Sequence, residues 1–283
     1  MQTSKDTINI KGTLLNLSAP MVMGILNVTN DSFYDGGRFA DVDAAVDQAT
    51  KMLHSGAKII DVGGASSRPG ADTISEEEEV GRVVPVIEAL KKKISDVIIS
   101  IDTNKSVVAE KAVRAGADIV NDISSGDDDV NMLNTVGALG VPYMAMHKQG
   151  NPKTMQKNPT YDNVTLEVVQ YFQHKIPKFN KAGIKDIIID PGFGFGKTVE
   201  HNYELLRNLA LIKDLIGLPI LVGVSRKSMI NKALNISAND ALNGTTVLNS
   251  WALQNGASII RVHDVAEASE IITLYKHYIG TNR

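Results

Sequence analysis

The chain has 283 residues, 43% of them hydrophobic and 22% charged; a single α/β barrel fills that length, and the apolar content excludes a disordered chain. A net charge of -3 leaves no basic surplus for a nucleic-acid backbone, and the absence of cysteine excludes disulfides, Cys-ligated zinc, iron–sulfur clusters and thiol nucleophiles. Residues 1–6 contain no apolar signal core and no stretch reaches 18 uncharged apolar residues, so a cytoplasmic protein with no membrane partner is expected.

In chain order, residues 1–18 stand outside any repeat, and 5–18 read as a short N-terminal hairpin that would cover the floor of a barrel. After that one pattern recurs. A helix-like stretch ends in Gly and a short β-branched run comes next, as in Gly56-Ala57-Lys58-Ile59-Ile60-Asp61, Gly116-Ala117-Asp118-Ile119-Val120-Asn121, Gly183 to Asp190 and Gly256 to Arg261, with weaker copies at Gly140 and Gly217. Glycine takes the left-handed conformation that ends a helix, and the apolar run suits a strand buried on both faces of a parallel sheet. The runs predict eight strands, at 21–28, 59–62, 97–101, 119–121, 141–146, 187–190, 220–224 and 259–262. Helices are expected between them, among others at 42–54, 75–93, 105–115, 163–181 and 241–254. In 75–93 four glutamates open the helix and Lys91-Lys92-Lys93 close it, as the helix dipole favours. Eight strand–helix units exhaust the chain, which favours one (β/α)8 TIM barrel domain over residues 1–283 rather than an open doubly wound sheet.

Such a barrel carries its chemistry at the C-terminal strand ends. Those ends carry Asn27, Asp61, Asp102, Asn121-Asp122, Met146-His147, Asp190, Ser225-Arg226-Lys227-Ser228, Arg261 and His263. Asp102, Asn121, Asp190 and Lys227 suit the hydrogen-bonding edge of a flat heterocycle, since a carboxylate accepts two N–H groups side by side. Arg226, Arg261 and His263 suit a phosphate-like group, and Ser228 opens a helix whose free N–H groups favour an anion. Asp102 reads equally well as a helix N-cap, and Asp190 before Pro191-Gly192 as a plain turn residue. The segment from Pro191 to Thr198 fits neither a P-loop nor a dinucleotide fingerprint; it predicts a mobile loop offering Phe193 and Phe195 to an aromatic ligand. Two long polar loops, 27–39 and 63–74, are candidate mobile lids after the first and second barrel strands. Asp127-Asp128-Asp129 reads as the start of a helix rather than a metal site.

Taken together, Asn27-Val28-Thr29 with Asp31-Ser32-Phe33, Ser67-Arg68-Pro69-Gly70, Ile101-Asp102-Thr103, Asn121-Asp122-Ile123, Met146-His147, Asp190-Pro191-Gly192-Phe193-Gly194-Phe195-Gly196-Lys197, Ser225-Arg226-Lys227-Ser228 and Arg261-Val262-His263 resemble, in order, the motifs of the dihydropteroate synthase family. The resemblance covers nearly the whole chain. It implies a folate-pathway transferase that joins 7,8-dihydropterin-6-ylmethyl diphosphate to 4-aminobenzoate, giving 7,8-dihydropteroate and pyrophosphate. It further implies that Asp102, Asn121, Ile123, Met146, Asp190 and Lys227 hold the pterin, with Asp102, Lys227 and Asp35 as the catalytic set. By the same resemblance Asn27, Arg261, His263 and Arg68 bind the diphosphate, Asn27 through Mg²⁺. Phe33, Ser67, Arg68, Pro69, Phe195 and Ser228 would form the site for aminobenzoate, a substrate that sulfonamides mimic. A homodimer is implied as well. The chain departs from the family's usual residues at Asn30, Ala65 and Ser67, all in the two long loops. Two other readings stay open: a non-catalytic pterin-binding paralogue, and a corrinoid-type pterin methyltransferase domain, against which Arg226, Arg261 and His263 speak because a methylated folate carries no diphosphate.

Overall fold

A computed structural model describes residues 6–28, 38–65, 74–150 and 159–280. The chain opens with strands β1 (Thr7–Ile10) and β2 (Thr13–Asn16), an antiparallel pair. Next come β3 (Met21–Asn27), α1 (Arg38–His54), β4 (Ile59–Gly63), α2 (Glu76–Lys93), β5 (Ile98–Asp102), α3 (Ser106–Ala115), β6 (Ile119–Asp122), α4 (Met132–Leu139) and β7 (Tyr143–Met146). The second half contains α5 (Val164–Lys181), β8 (Ile187–Asp190), α6 (Val199–Arg207), α7 (Leu209–Ile216), β9 (Leu221–Val222), α8 (Ser228–Leu234), α9 (Leu242–Gln254), β10 (Ile259–Val262) and α10 (Val265–Tyr278). Strands β3 to β10 form one parallel sheet, ordered β8-β7-β6-β5-β4-β3-β10-β9, and a parallel bridge from Ile189 to Ile220 joins its two ends into a barrel. The (β/α)8 expectation is borne out.

The recurrent glycines explain the spacing. Gly56, Gly116, Gly140, Gly183, Gly217 and Gly256 all have positive φ, and each stops a helix a few residues before a strand. Ser75 caps α2 by accepting from Glu78 N (3.1 Å), so the four glutamates occupy its first turn and the three lysines its last.

Alternation along the strands then sorts every side chain. Val22, Ile60, Val62, Ile99, Ile101, Val120, Tyr143, Ala145, Ile189, Val222, Ile260 and Val262 face the surrounding helices and belong to the main apolar core. Met21, Met23, Ile59, Ile119, Met144, Ile188, Leu221 and Ile259 face inward and form a second cluster with Ile8 and Leu17 of the hairpin. Burying Ile8 and Leu17 stabilises the docked hairpin by about 1.5–3 kcal/mol each, so β1 and β2 close the N-terminal end of the barrel, as expected. Lys11 adds an ion pair to Asp118 (2.7 Å), worth little because half of the lysine is in water.

Candidate active site

The inward positions that are apolar at the floor become polar at the mouth. Counting on in steps of two from the inner cluster gives Asn27 on β3, Asp61 and Gly63 on β4, Ser100 and Asp102 on β5, and Asn121 on β6. The same count gives Met146 on β7, Asp190 on β8, Gly223 after β9, and Arg261 and His263 on and after β10. Register places Asn27, Gly63, Asp102 and Asn121 side by side on four successive strands, and Met146 beside Asp190. Gly63 and Gly223 keep the mouth open. A Cβ on Gly63 would stand 3.6 Å from Asp102 Cβ and 3.7 Å from Asn27 Oδ1, and one on Gly223 would stand 3.7 Å from Lys227 Nζ.

Arg261 organises one side. Its Nε donates to Asp61 Oδ2 (2.6 Å) and its Nη2 to Asp102 Oδ2 (2.6 Å), while Asn121 Nδ2 donates to Asp61 Oδ2 (3.1 Å). Asp61 is fully buried, and its Oδ1 has no hydrogen-bond partner among the described residues. Two carboxylates therefore share one guanidinium. Burial pushes the Asp102 carboxyl up to about 7; Arg261 opposes this, and Asp61, Glu79 and Asp122 reinforce it. Asp102 is not a helix cap. The α3 terminus takes Asp129 instead, whose Oδ2 accepts from Ser106 N (2.7 Å).

Lys227 and Asp190 make the other side. Lys227 Nζ donates to Phe193 O (2.6 Å) and lies 4.9 Å from the centre of the Phe195 ring. Burial lowers its pKa to about 8, against the pull of the Asp190 carboxylate. Asp190 is itself buried and raised for the same reason, with Lys227 opposing; its Oδ1 accepts from Gly192 N (2.8 Å), so it closes a turn and still faces the mouth.

The structure thus brings Asn27, Asp102, Asn121, Met146, Asp190, Lys227, Arg261 and His263 to one rim. Ile123 is half-buried just past β6, and Ser228 is exposed at the start of α8. His263 lies by Ser225, with Nδ1 3.1 Å from its Oγ. Phe33, Asp35, Ser67, Arg68 and Pro69 lie outside the described residues, as do Asn30 and most of both candidate lid loops.

Five expectations are corrected. Arg226 turns away from the mouth: it pairs with Asp264 through Nε and Nη2 (2.9 and 2.7 Å) and donates to the carbonyls of Ala238 and Asn239. Phe193 offers nothing to a ligand, being fully buried in the main core, which leaves Phe195 alone at the mouth. The loop that carries both is pinned rather than loose. A Cβ at Gly192, whose φ is +74°, would come within 1.8 Å of His147 O, and Tyr161 Oη donates to Gly196 O (2.9 Å). Asp122, although at a strand end, points outward; it accepts from Tyr143 Oη (2.6 Å), Ser124 and Gly126 and builds the adjoining turn. The three aspartates at 127–129 do not open a helix. They turn to Lys175, to Asn104 and Lys148, and to Ser106 and Asn131, and α4 begins only at Met132.

Asp61 was read as a strand end but given no role, although it is the buried partner of Arg261. Its signal was the two-residue step from Ile59, which turns it inward beneath Gly63. Lys197 was missed as well, and nothing in a Gly-rich segment marks a lysine for burial.

Comparison with known proteins agrees with this geometry. The family described as pterin binding enzyme matches residues 23–263. The dihydropteroate synthase of Escherichia coli K12 is 49% identical over 262 residues, 92% of each chain. A structure of Yersinia pestis dihydropteroate synthase in a sulfonamide drug complex superposes with a TM-score of 0.91 at 44% identity, covering 97% of this chain and 99% of that one. A Xanthomonas albilineans dihydropteroate synthase with 4-aminobenzoic acid gives a TM-score of 0.90 at 38% identity, over 98% and 99%. With its family model spanning the barrel and such relatives matching over nearly its whole length, the chain belongs to the pterin-binding enzymes, in the dihydropteroate synthase family.

Proposed function

We propose that this enzyme condenses 7,8-dihydropterin-6-ylmethyl diphosphate with 4-aminobenzoate, and that the ring of side chains at the barrel mouth performs the reaction. The observation that carries the residue assignment is the set of acceptors and donors gathered at that mouth: Asp102 and Asp190 beside Asn121, Lys227 and Arg261. The pterin edge presents N–H groups beside a ring nitrogen and a carbonyl, and those acceptors and donors complement it. Met146 packs against the ring face, with Ile123 at its border.

The C–O bond between the pterin methylene and the diphosphate breaks first. Arg261, His263 and Arg68 take the charge that develops on the leaving pyrophosphate. The methylene cation that remains is conjugated to the electron-rich ring, and the Asp102 carboxylate beneath it stabilises that charge. The aryl amine, held by Phe33, Ser67, Arg68, Pro69, Phe195 and Ser228, attacks through its unprotonated nitrogen. The new C–N bond forms and the nitrogen then gives up its proton. Asp35 completes the catalytic set. Excluding water matters because water would capture the same cation.

Asn27 fits a magnesium ion: its amide oxygen is a hard donor at the mouth, 3.7 Å from where a Cβ on Gly63 would stand. A single amide oxygen would leave the other positions of such an ion to phosphate oxygens and water. When bound, that ion neutralises the diphosphate and makes it a better leaving group.

We take the enzyme to be a cytoplasmic homodimer. Trp251, Leu274 and Tyr278 stand exposed on α9 and α10, and no helix among the described residues is long and apolar enough to cross a membrane. The test is pyrophosphate release from the dihydropterin diphosphate with Mg²⁺, with and without 4-aminobenzoate, while dihydropteroate is followed by chromatography. Coupled release and product formation are expected. Pterin binding with neither would establish the non-catalytic paralogue instead.

A further inference from the structure

The loop from Pro191 to Lys197 is folded around an ammonium group. Lys197 is 3% exposed. Its Nζ donates to Gly192 O (2.9 Å) and Phe195 O (3.2 Å) and stands 2.9 Å from His147 Nδ1. These partners are two carbonyls and an imidazole, and an ammonium has three N–H groups to give, so the set is complete when Nδ1 of a neutral His147 accepts. Burial holds His147 well below its usual pKa, which keeps the ring an acceptor; its face and edge are wedged among Tyr171 (4.9 Å between ring centres, at right angles) and Tyr161. The lysine is thus enclosed by groups that fix it in place.

The same loop holds two of the residues assigned to the pterin edge, Asp190 and Lys227. Gly192, whose carbonyl Lys197 binds, donates its own N–H to Asp190 Oδ1. Phe193, the next residue, accepts from Lys227 Nζ. Phe195, whose carbonyl Lys197 also binds, places its ring beneath the Lys227 ammonium. Every covalent path from Lys197 to the Asp190–Lys227 pair is three residues or fewer beyond a hydrogen bond. We infer that Lys197, seated on His147, is a positioning residue that holds the Gly192–Phe195 segment so that Asp190 and Lys227 meet the ring of the bound substrate. The inference rests on the assignment of those two residues to the pterin. Burial lowers the Lys197 pKa to about 7, with Asp190 opposing the shift and Lys227 adding to it.

The experiment is calorimetric titration of the dihydropterin diphosphate, without 4-aminobenzoate, into wild type, Lys197→Met and Asp190→Asn, with circular dichroism as the check of folding. Lys197→Met is expected to bind at least tenfold more weakly while folded. Because the chain has no cysteine, aminoethylation of unfolded and then refolded Lys197→Cys restores an ammonium at this position alone, and affinity is expected to return to within threefold of refolded wild type; a role in packing alone would not need the charge. Binding by Lys197→Met within twofold of wild type, alongside loss in Asp190→Asn, overturns the inference and leaves the site assignment standing. Normal binding by Asp190→Asn overturns the assignment and the inference with it. Should Lys197→Met not fold, the titration is read on His147→Leu, which removes one acceptor and no charge; an affinity within twofold of wild type there overturns the inference.

Discussion

Replacing Arg261 by methionine keeps the bulk of the side chain and removes the one cation among the described residues that is bonded to both Asp61 and Asp102. Breaking a buried ion pair from one side destabilises by about 3–5 kcal/mol, because the remaining charge is left without a partner. Here the arginine side chain is 18% exposed and Asp102 13%, while Asp61 is wholly buried, so we expect the lower end, about 3 kcal/mol at pH 8. The loss must depend on pH. A carboxyl whose pKa is higher in the folded than in the unfolded chain keeps its proton longer when folded. Its presence therefore lowers stability progressively as pH rises from the unfolded value toward the folded one. Asp102 already sits at about 7, and losing Arg261 drives it further up. At pH 5.5 Asp102 is neutral in the variant, and the deficit shrinks by the same linkage. Urea unfolding at pH 5.5 and 8.0, followed by the fluorescence of Trp251, the chain's one tryptophan, measures both values. A loss under about 1 kcal/mol at pH 8, or one that is equal at the two pH values, would refute the shared-guanidinium account.

Asp190→Asn replaces an acceptor by an amide that mispairs with one ring N–H; pterin binding is expected to fall below detection in titration calorimetry, and retained binding removes Asp190 from the site. Lys227 holds its proton only below about pH 8, so wild-type affinity for the dihydropterin should decline through that pH, and the step should vanish in Lys227→Met. Phe193→Ala empties a fully buried position and should cost about 3–5 kcal/mol in thermal or urea unfolding, whereas half-buried Phe195→Ala should cost less than about 1.5 kcal/mol and act instead on the KM for 4-aminobenzoate. Equal losses from the two phenylalanines would contradict their placement.

How far the sequence could be read depended on the range of the interactions involved. Strand positions came within a residue or two because a helix-ending glycine and a β-branched run are local signals, and eight of them imply closure. Rim residues came with them, because closing a parallel barrel leaves every strand end on one side. Orientation was harder. Asp122 ends β6 and Asp61 lies two residues before the end of β4, and alternation along each strand turns one outward to Tyr143 and the other inward to Arg261. Arg226 and Phe193 were misread for a related reason. Their partners, Asp264 and the helix-facing core, are distant in sequence, and nothing within the Ser225-Arg226-Lys227 or Gly192-Phe193-Gly194 runs reports which of two adjacent side chains faces the mouth.

The hairpin at the other end of the barrel has a consequence for traffic. With Ile8 and Leu17 seated among the inward methionines and isoleucines, the interior is stoppered from below, and nothing small can pass through. On the proposed reading both substrates and both products must therefore use one doorway. The molecule that lies deepest enters first, and the second arrival covers it. The heterocycle, reaching toward the strand-borne carboxylates, has to arrive before the aryl amine, and pyrophosphate has to leave past the partner that replaces it. A two-residue turn at the floor thereby imposes an order on events at the mouth.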